Sequence, residues 1–475
     1  MKGERLKVKG ERCADATKDC ASHLSPFTSH LSPIKELATL LSGSVLAQVI
    51  SFAAYFVLLR IYSADDYGLF SIFYSYIEVL IILSTCKYEM AIVPATSDSE
   101  ANAVARFAFR LNALVSLAML AVLAVLTFTG SLPGKYSRLG WLAMLIAPMV
   151  FFCGTTRIYG ELCNRRHRYR RIAAADITGA ATGAVLKTIF GLLGLRTSGM
   201  PLGTVLGQSA VNLVYRLRPG ERLKVNGERL KVKGERCADA TTDRVSHLSP
   251  LTFHLSPYKN YPLYLAPKEL VASLSSNLPF IWLALYFDNA TVGLFALALT
   301  LVAKPVLVFS ASCERILNAR CSEALHHRQP IMPILLRFLL PVSVAAIAVA
   351  VATWFLAGPL VTFFFGGRWE GCEPYVRAML PWAVVGVCSL SLMHIANIFS
   401  TQRADLIINI VQLLLRATAI AVGIHRSDFL LAIILFYAAS ALTALFTLLW
   451  YLYQTRRHDH DLTPLPLSAR RGGRG

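Results

Sequence analysis

Charged side chains are scarce in this chain. They make up 16% of it, against 55% hydrophobic residues, where average soluble domains carry about 25% charge. Acidic residues are the scarcer sign, 28 Asp and Glu against 47 Lys and Arg, for a net charge of +19. No soluble core absorbs so much apolar sequence in 475 residues, so an ordinary globular enzyme is excluded. The ten cysteines include no C-x-x-C and no Cys/His ligand spacing, which argues against a structural metal site. In lipid, such residues act as small hydrophobes. The chain also lacks a Walker loop, a Gly-rich phosphate cradle and a G-x-S-x-G elbow. ATP hydrolysis and ester chemistry therefore have no visible apparatus, no catalytic or metal-binding residue is assigned, and no enzyme is expected. Its N-terminus has charge but no short apolar core before a cleavage site, so no signal peptide is expected.

What the chain has is long apolar runs between short polar breaks. About 20 residues cross the ~30 Å of hydrocarbon, and backbone groups facing lipid must be satisfied within a helix. The sequence therefore predicts an all-α polytopic membrane protein with spans near 37–59, 69–92, 104–128, 139–160, 172–195, 199–217, 265–287, 291–312, 334–357, 375–398, 405–425 and 428–453. Placing both termini in the cytoplasm leaves only Arg60, Lys135, Arg138, Arg196, Arg368, Arg377 and Arg426 in outer segments, with most other Lys and Arg inside. The basic charge is thus a topology signal, and nucleic acid is not an expected partner.

Residues 3–33 return at 227–257 without a gap, differing only at Lys18/Thr242, Cys20/Arg244, Ala21/Val245, Phe27/Leu251 and Ser29/Phe253. Codons for "GERLKVKGER" exist whose reverse complement reads F-H-L-S-P-L-T-F-H, much like "HLSPLTFH" at 247–254. Each copy then reads as an inverted DNA repeat caught in frame, a passenger favoured here over a polybasic lipid-binding patch. Such polar, Pro-punctuated sequence does not offset its ordering entropy, so both copies are expected to be flexible. The domain reading follows: a repeat copy at 1–33, a six-helix lobe at 34–217, the second copy at 218–257, a six-helix lobe at 258–453 and a basic cytoplasmic tail at 454–475.

Helix 1 and its sequel read "LATLLSGSVLAQVISFAAYFVLLRIYSADDYGLFSIF", then "CKYEMAIVPATSDSEA". Together with "NRRHRYRRIA", "SLSSNLPFIWLALYFDNATVGLFALAL" and "FFFGGRWEGCEPYVRAMLPW", these segments resemble the polysaccharide-export (Wzx-type, O-antigen) flippases of the multidrug/oligosaccharidyl-lipid/polysaccharide (MOP) superfamily. The residues carrying the resemblance include Arg60, Tyr62, Ser63, Asp65, Asp66, Tyr67, Gly68, Lys87, Tyr88, Glu89, Ala91 and Ile92. It covers about 34–217 and 258–453, and the insert at 218–257 departs from it. The resemblance implies two six-helix lobes around a central cavity in a bacterial inner membrane, with alternating access. Its implied substrate is an undecaprenyl-pyrophosphate-linked oligosaccharide for surface polysaccharide or lipopolysaccharide synthesis. Membrane lipids and other polysaccharide-assembly proteins are the further partners, and Na⁺ or H⁺ the only coupling species. An internal echo agrees: "KEL" at 35–37 leads to "YGLF" at 67–70, as "KEL" at 268–270 leads to "VGLF" at 292–295, and transporters are often built from such repeats.

Such a substrate calls for cations and hydrogen bonders in a wet cleft, and ionisable residues inside spans are functional by default. Lys187 follows Asp176 by eleven positions on one face of helix 5, reading either as a cavity stripe or as a bundle-facing ion pair. Lys304 precedes Pro305, at a broken helix framing the site or a kink with a snorkelling lysine. Arg416 is expected to face the cavity or a carboxylate. For Glu78, one turn after Tyr74, a coupling-ion site and an interhelical hydrogen bond both stay open. Lys87 and Glu89 are expected to snorkel to the inner interface. Arg60, Asp65 and Asp66 read as a helix end and tight loop, and "HDHD" at 458–461 as solvated surface. Rival readings are a small-molecule exporter of the same superfamily, a glycan polymerase or ligase, and a non-transporting scaffold.

Overall fold

The computed structural model describes residues 31–131, 134–216, 258, 261–326, 329–393 and 402–462. The insert at 218–257, nearly all of the first repeat copy and the tail beyond 462, with the flexibility expected of the two copies, lie outside the described residues. No strand occurs among the described residues. The first lobe comprises α1 (Leu31–Ile61), α2 (Ala64–Thr85), α3 (Asp98–Phe128), α4 (Ile146–Arg165), α5 (Tyr169–Leu192) and α6 (Arg196–Arg216). The second comprises α7 (Ala266–Leu278, with π turns Tyr261–Leu265 and Pro279–Leu283 on either side), α8 (Asn289–His326), α9 (Met332–Phe365), α10 (Glu373–Ser391), α11 (Gln402–His425) and α12 (Phe429–Leu462). These match the predicted spans in order and near-register.

Eight of these helices are long and apolar enough to cross a membrane by length and composition. The most apolar windows of α3 and α9 are only 11% buried, with Leu117, Phe128, Phe355 and Phe363 exposed. Helices apolar all round belong in lipid. Helix α6 is less apolar because its polar side chains face protein. Gln208 Nε2 donates to Thr156 Oγ1 at 2.8 Å, and Asn212 Nδ2 donates to the Phe152 carbonyl at 3.0 Å, both on α4. Glycine lets α6 lie close on α5: a Cβ on Gly203 would fall 2.8 Å from the Lys187 backbone nitrogen. Small residues at helix contacts are the usual means of such approach in membranes.

Three expectations need correction. Helix α2 stops at Thr85 instead of running to 92, because Cys86 and Lys87 take positive φ angles of 46° and 60°. The Ser84 hydroxyl, bonded to the Ile81 carbonyl at 2.9 Å, adds a local competitor for helix bonding. Of the two readings open at Lys304–Pro305, the break does not occur, and α8 continues from Asn289 to His326 as the predicted span requires. Helix α12 passes the expected end at 453, and Asp459 is not solvated. Its carboxylate accepts from Ile331 N and Met332 N at 2.9 and 2.7 Å, satisfying free amides at the start of α9.

The core runs through both lobes. Phe70 and Phe73 of α2, Phe295 of α8, Trp369, Tyr375, Phe429 and Tyr437 belong to one buried cluster, and α2 packs along α8 at the lobe seam. Gly68 and Gly293, the equivalent residues of the sequence echo, meet there. A methyl on Gly68 would strike the Asn289 carbonyl, and one on Gly293 the Ala64 carbonyl. Nearby, the Trp369 indole donates to the Leu59 carbonyl at 2.8 Å, and the Tyr67 and Thr300 hydroxyls are 2.9 Å apart. Thr300 already donates to the Ala296 carbonyl at 3.0 Å, so Tyr67 is the donor. These contacts seal one end of the seam.

Candidate functional site

Beside that seal lies a cavity of about 680 Å³. Its walls come from α1, α2, α4, α5 and α6 of one lobe and from α7, its following π turn and α8 of the other. Lys187, Asp176, Glu78 and Lys304 all line it. The eleven-residue interval on α5 thus puts both Asp176 and Lys187 on the cavity face. Four ionisable groups share the space, two of each sign.

Lys187 Nζ sits 5.2 Å from the centroid of the Phe70 ring, and Lys304 Nζ 5.6 Å from that of Tyr55. Tyr55 is itself held edge-on against Tyr67, with centroids 6.4 Å apart. The aromatic faces give each ammonium a partial counter-charge. Among the described residues, neither lysine forms an ion pair with a carboxylate. Lys187 is further fixed because the Tyr62 hydroxyl donates to its carbonyl at 2.8 Å. The two cations, one from each lobe, therefore face the cavity without a full counter-ion.

Glu78 makes the interhelical hydrogen bond that was one of its two readings: Asn277 Nδ2 of α7 donates to its Oε2 at 3.0 Å, and the residue lines the cavity. The Ser273 hydroxyl reaches its carbonyl at 3.1 Å, tying α2 to α7.

Arg416 is not in the cavity. It is buried within the second lobe, where Nε donates to the Ser440 hydroxyl at 2.9 Å and Nη1 to the Ser275 hydroxyl at 3.1 Å. Its guanidinium lies 4.8 Å from the Phe436 ring centroid. Neither expectation, cavity or carboxylate, describes it.

The family-motif residues are mostly structural. Ser63 and Asp66 form a capping box: Ser63 N donates to Asp66 Oδ2 at 3.1 Å, and Asp66 N donates to Ser63 Oγ at 3.3 Å. The pair fixes the start of α2, and Thr197 adds a hydrogen bond to Asp66 at 3.3 Å. Arg60 and Asp65 are exposed at the same turn. Lys87 does not snorkel; it is buried and 3.6 Å from Glu269 of α7. Glu89 is also buried, on the short 3₁₀ turn that follows, and Tyr88 packs edge-on against Phe107 at 5.0 Å. No cluster of metal-ligand residues occurs among the described residues.

Sequence reasoning missed Tyr55, Thr300, Asn277 and Gln208, which complete the cavity wall. They carry no charge, and a search for ionisable groups inside spans passes over them. Gln48 and Gln208, isolated amides in apolar runs, were the available signal.

Two lysines from opposite lobes thus line one shared cavity. This chain has the MOP-superfamily transporter fold. An inward-facing multidrug-resistance transporter of the MATE family, in the MOP superfamily, matches with TM-score 0.66 and 16% identity over 89% of this chain and 99% of that one. The lipid II flippase MurJ, in an inward closed conformation, matches with TM-score 0.61 and 12% identity over 90% of each chain. A MOP-superfamily transporter from Pyrococcus furiosus, reported to have a binding pocket of reversed polarity, gives 0.56 and 14% over 91% of this chain and 97% of that one. Residues 248–374 match the family described as "Polysaccharide biosynthesis protein". No protein with a curated description matches. The family match and the fold agree with the resemblance carried by the sequence motifs, and the fold is that of a multi-pass membrane protein.

Proposed function

We propose that the protein flips a polyprenyl-diphosphate-linked oligosaccharide across a bacterial inner membrane for surface polysaccharide synthesis. The observation that carries this reading is the pair Lys187 and Lys304. Each lobe contributes one ammonium, and a diphosphate between them would supply the counter-charge that the protein withholds. Such a charge-assisted contact is strong in a partly desolvated site. It also spans both lobes, so a bound anion can couple their movement, as alternating access requires.

The remaining parts fit. The cavity offers hydroxyl and amide groups to a sugar head, and the apolar outer faces of α3 and α9 meet the acyl phase where a polyprenyl tail would stay. Both termini are placed in the cytoplasm, with the sealed end of the seam toward the outside.

The test is complementation of a flippase-deficient strain by the full chain, alongside Lys187→Ala/Lys304→Ala. Restored surface polysaccharide with the parent and none with the variant, at equal membrane abundance, is expected. Equal export by both would remove the reading.

A further inference from the structure

The charged groups of the cavity lie at different depths. Helix α2 runs away from the sealed end, and Glu78 lies eight residues beyond Phe70, about 12 Å at 1.5 Å per residue. Helix α5 runs toward the seal, since Gly191 near its end packs on Ile61 and Tyr62. Asp176 therefore lies about 16 Å farther from the seal than Lys187. Lys187 thus lies nearer the closed end than either carboxylate, and Asp176 lies toward the mouth; Lys304, eleven residues beyond Gly293, is about 16 Å from the seam, level with Glu78.

Neither carboxylate forms an ion pair among the described residues. Glu78 accepts one hydrogen bond, from the neutral Asn277 amide, leaving acceptor capacity on both oxygens. Gln208 and Ser75 also line the wall. Carboxylates, amides and hydroxyls of this kind accept hydrogen bonds from sugar hydroxyls and attract amines, while a sugar carboxylate entering the same space meets like charge.

Resting on the flippase reading, we propose that Glu78 and Asp176 set substrate specificity. They receive a glycan of neutral or amine-bearing sugars and reject one carrying uronic acids. The lysines read the diphosphate common to all such carriers, and the carboxylates read what is attached to it.

The experiment reconstitutes the full chain in proteoliposomes and measures flipping of two polyprenyl-diphosphate oligosaccharides of equal length, one all-neutral and one containing a uronic acid. The parent should favour the neutral substrate by at least about tenfold at low salt, where one like-charge contact is worth that much. Glu78→Gln/Asp176→Asn should narrow the ratio to about threefold or less, by raising uronate flipping relative to neutral flipping. An unchanged ratio overturns the proposal. So does an equal fall for both substrates in Asp176→Asn alone, a near-isosteric change, because the carboxylate would then serve every substrate. A parent that flips neither substrate refutes the flippase reading itself, whereas a parent that flips both equally refutes only the selectivity.

Discussion

Gly68 of α2 and Gly293 of α8 meet across the lobe seam, each occupying space that a Cβ would need against the other helix's backbone. Four residues before each glycine, Ala64 and Asn289 supply the carbonyls it faces. The contact is reciprocal: equivalent positions of the two lobes pack on one another. If this seal must form and break during transport, a methyl at either position bars the sealed state. Gly68→Ala or Gly293→Ala should cut export severely and increase spin-label separations across this end of the seam, measured by double electron–electron resonance. Gly358→Ala, whose Cβ would meet nothing within 4 Å, should leave both unchanged.

The lysine pair predicts a difference between removing and keeping charge. Lys187→Ala or Lys304→Ala should weaken binding of a diphosphate-bearing carrier by roughly tenfold or more, as expected for a lost charge-assisted contact of about 1.5–3 kcal/mol. Lys304→Arg should retain most of it. Titration calorimetry with a short-chain polyprenyl diphosphate reads this directly, and equal affinities for Ala and Arg variants would contradict it.

Arg416 should behave differently from the lysines. Its contacts are Ser275, Ser440 and the Phe436 ring, all within the second lobe. Arg416→Ala should lower the thermal midpoint of the detergent-purified protein, from a loss of about 1–3 kcal/mol, with carrier affinity unaltered. A normal midpoint with abolished binding would place its side chain in the transport path after all.

The Lys87–Glu269 pair joins α7 to the turn after α2. Lys87 has 8% of its side chain exposed, Glu269 40%. Glu269→Gln leaves the buried cation without its partner and should destabilise by about 1 kcal/mol or more, discounted for the exposed glutamate. Adding Lys87→Met should recover much of the loss. A double-mutant cycle on thermal midpoints checks it, and strict additivity would show that the pair does not interact.

The near-identity of 3–33 and 227–257 predicts that deleting 218–257 leaves export intact, provided a short linker joins α6 to α7. Complementation with the deleted chain is the measurement; loss of export at normal abundance would make the insert part of the mechanism.

The sequence by itself determined the helices and the polar face of α5. Bilayer thickness sets the length of every apolar run, and helical periodicity places Asp176 and Lys187 together, because both constraints act within one segment. One local feature defeated that reading: the left-handed Cys86–Lys87 pair ended α2 early. What only the tertiary structure decided was the partner of each polar group: Lys187 opposite Lys304, Gly68 against Gly293, Arg416 among serines instead of in the cavity. Periodicity tells which face of a helix is polar, but not which neighbouring helix that face meets. That choice is made by packing between segments far apart in the chain, where glycine and hydroxyl positions decide how closely backbones approach.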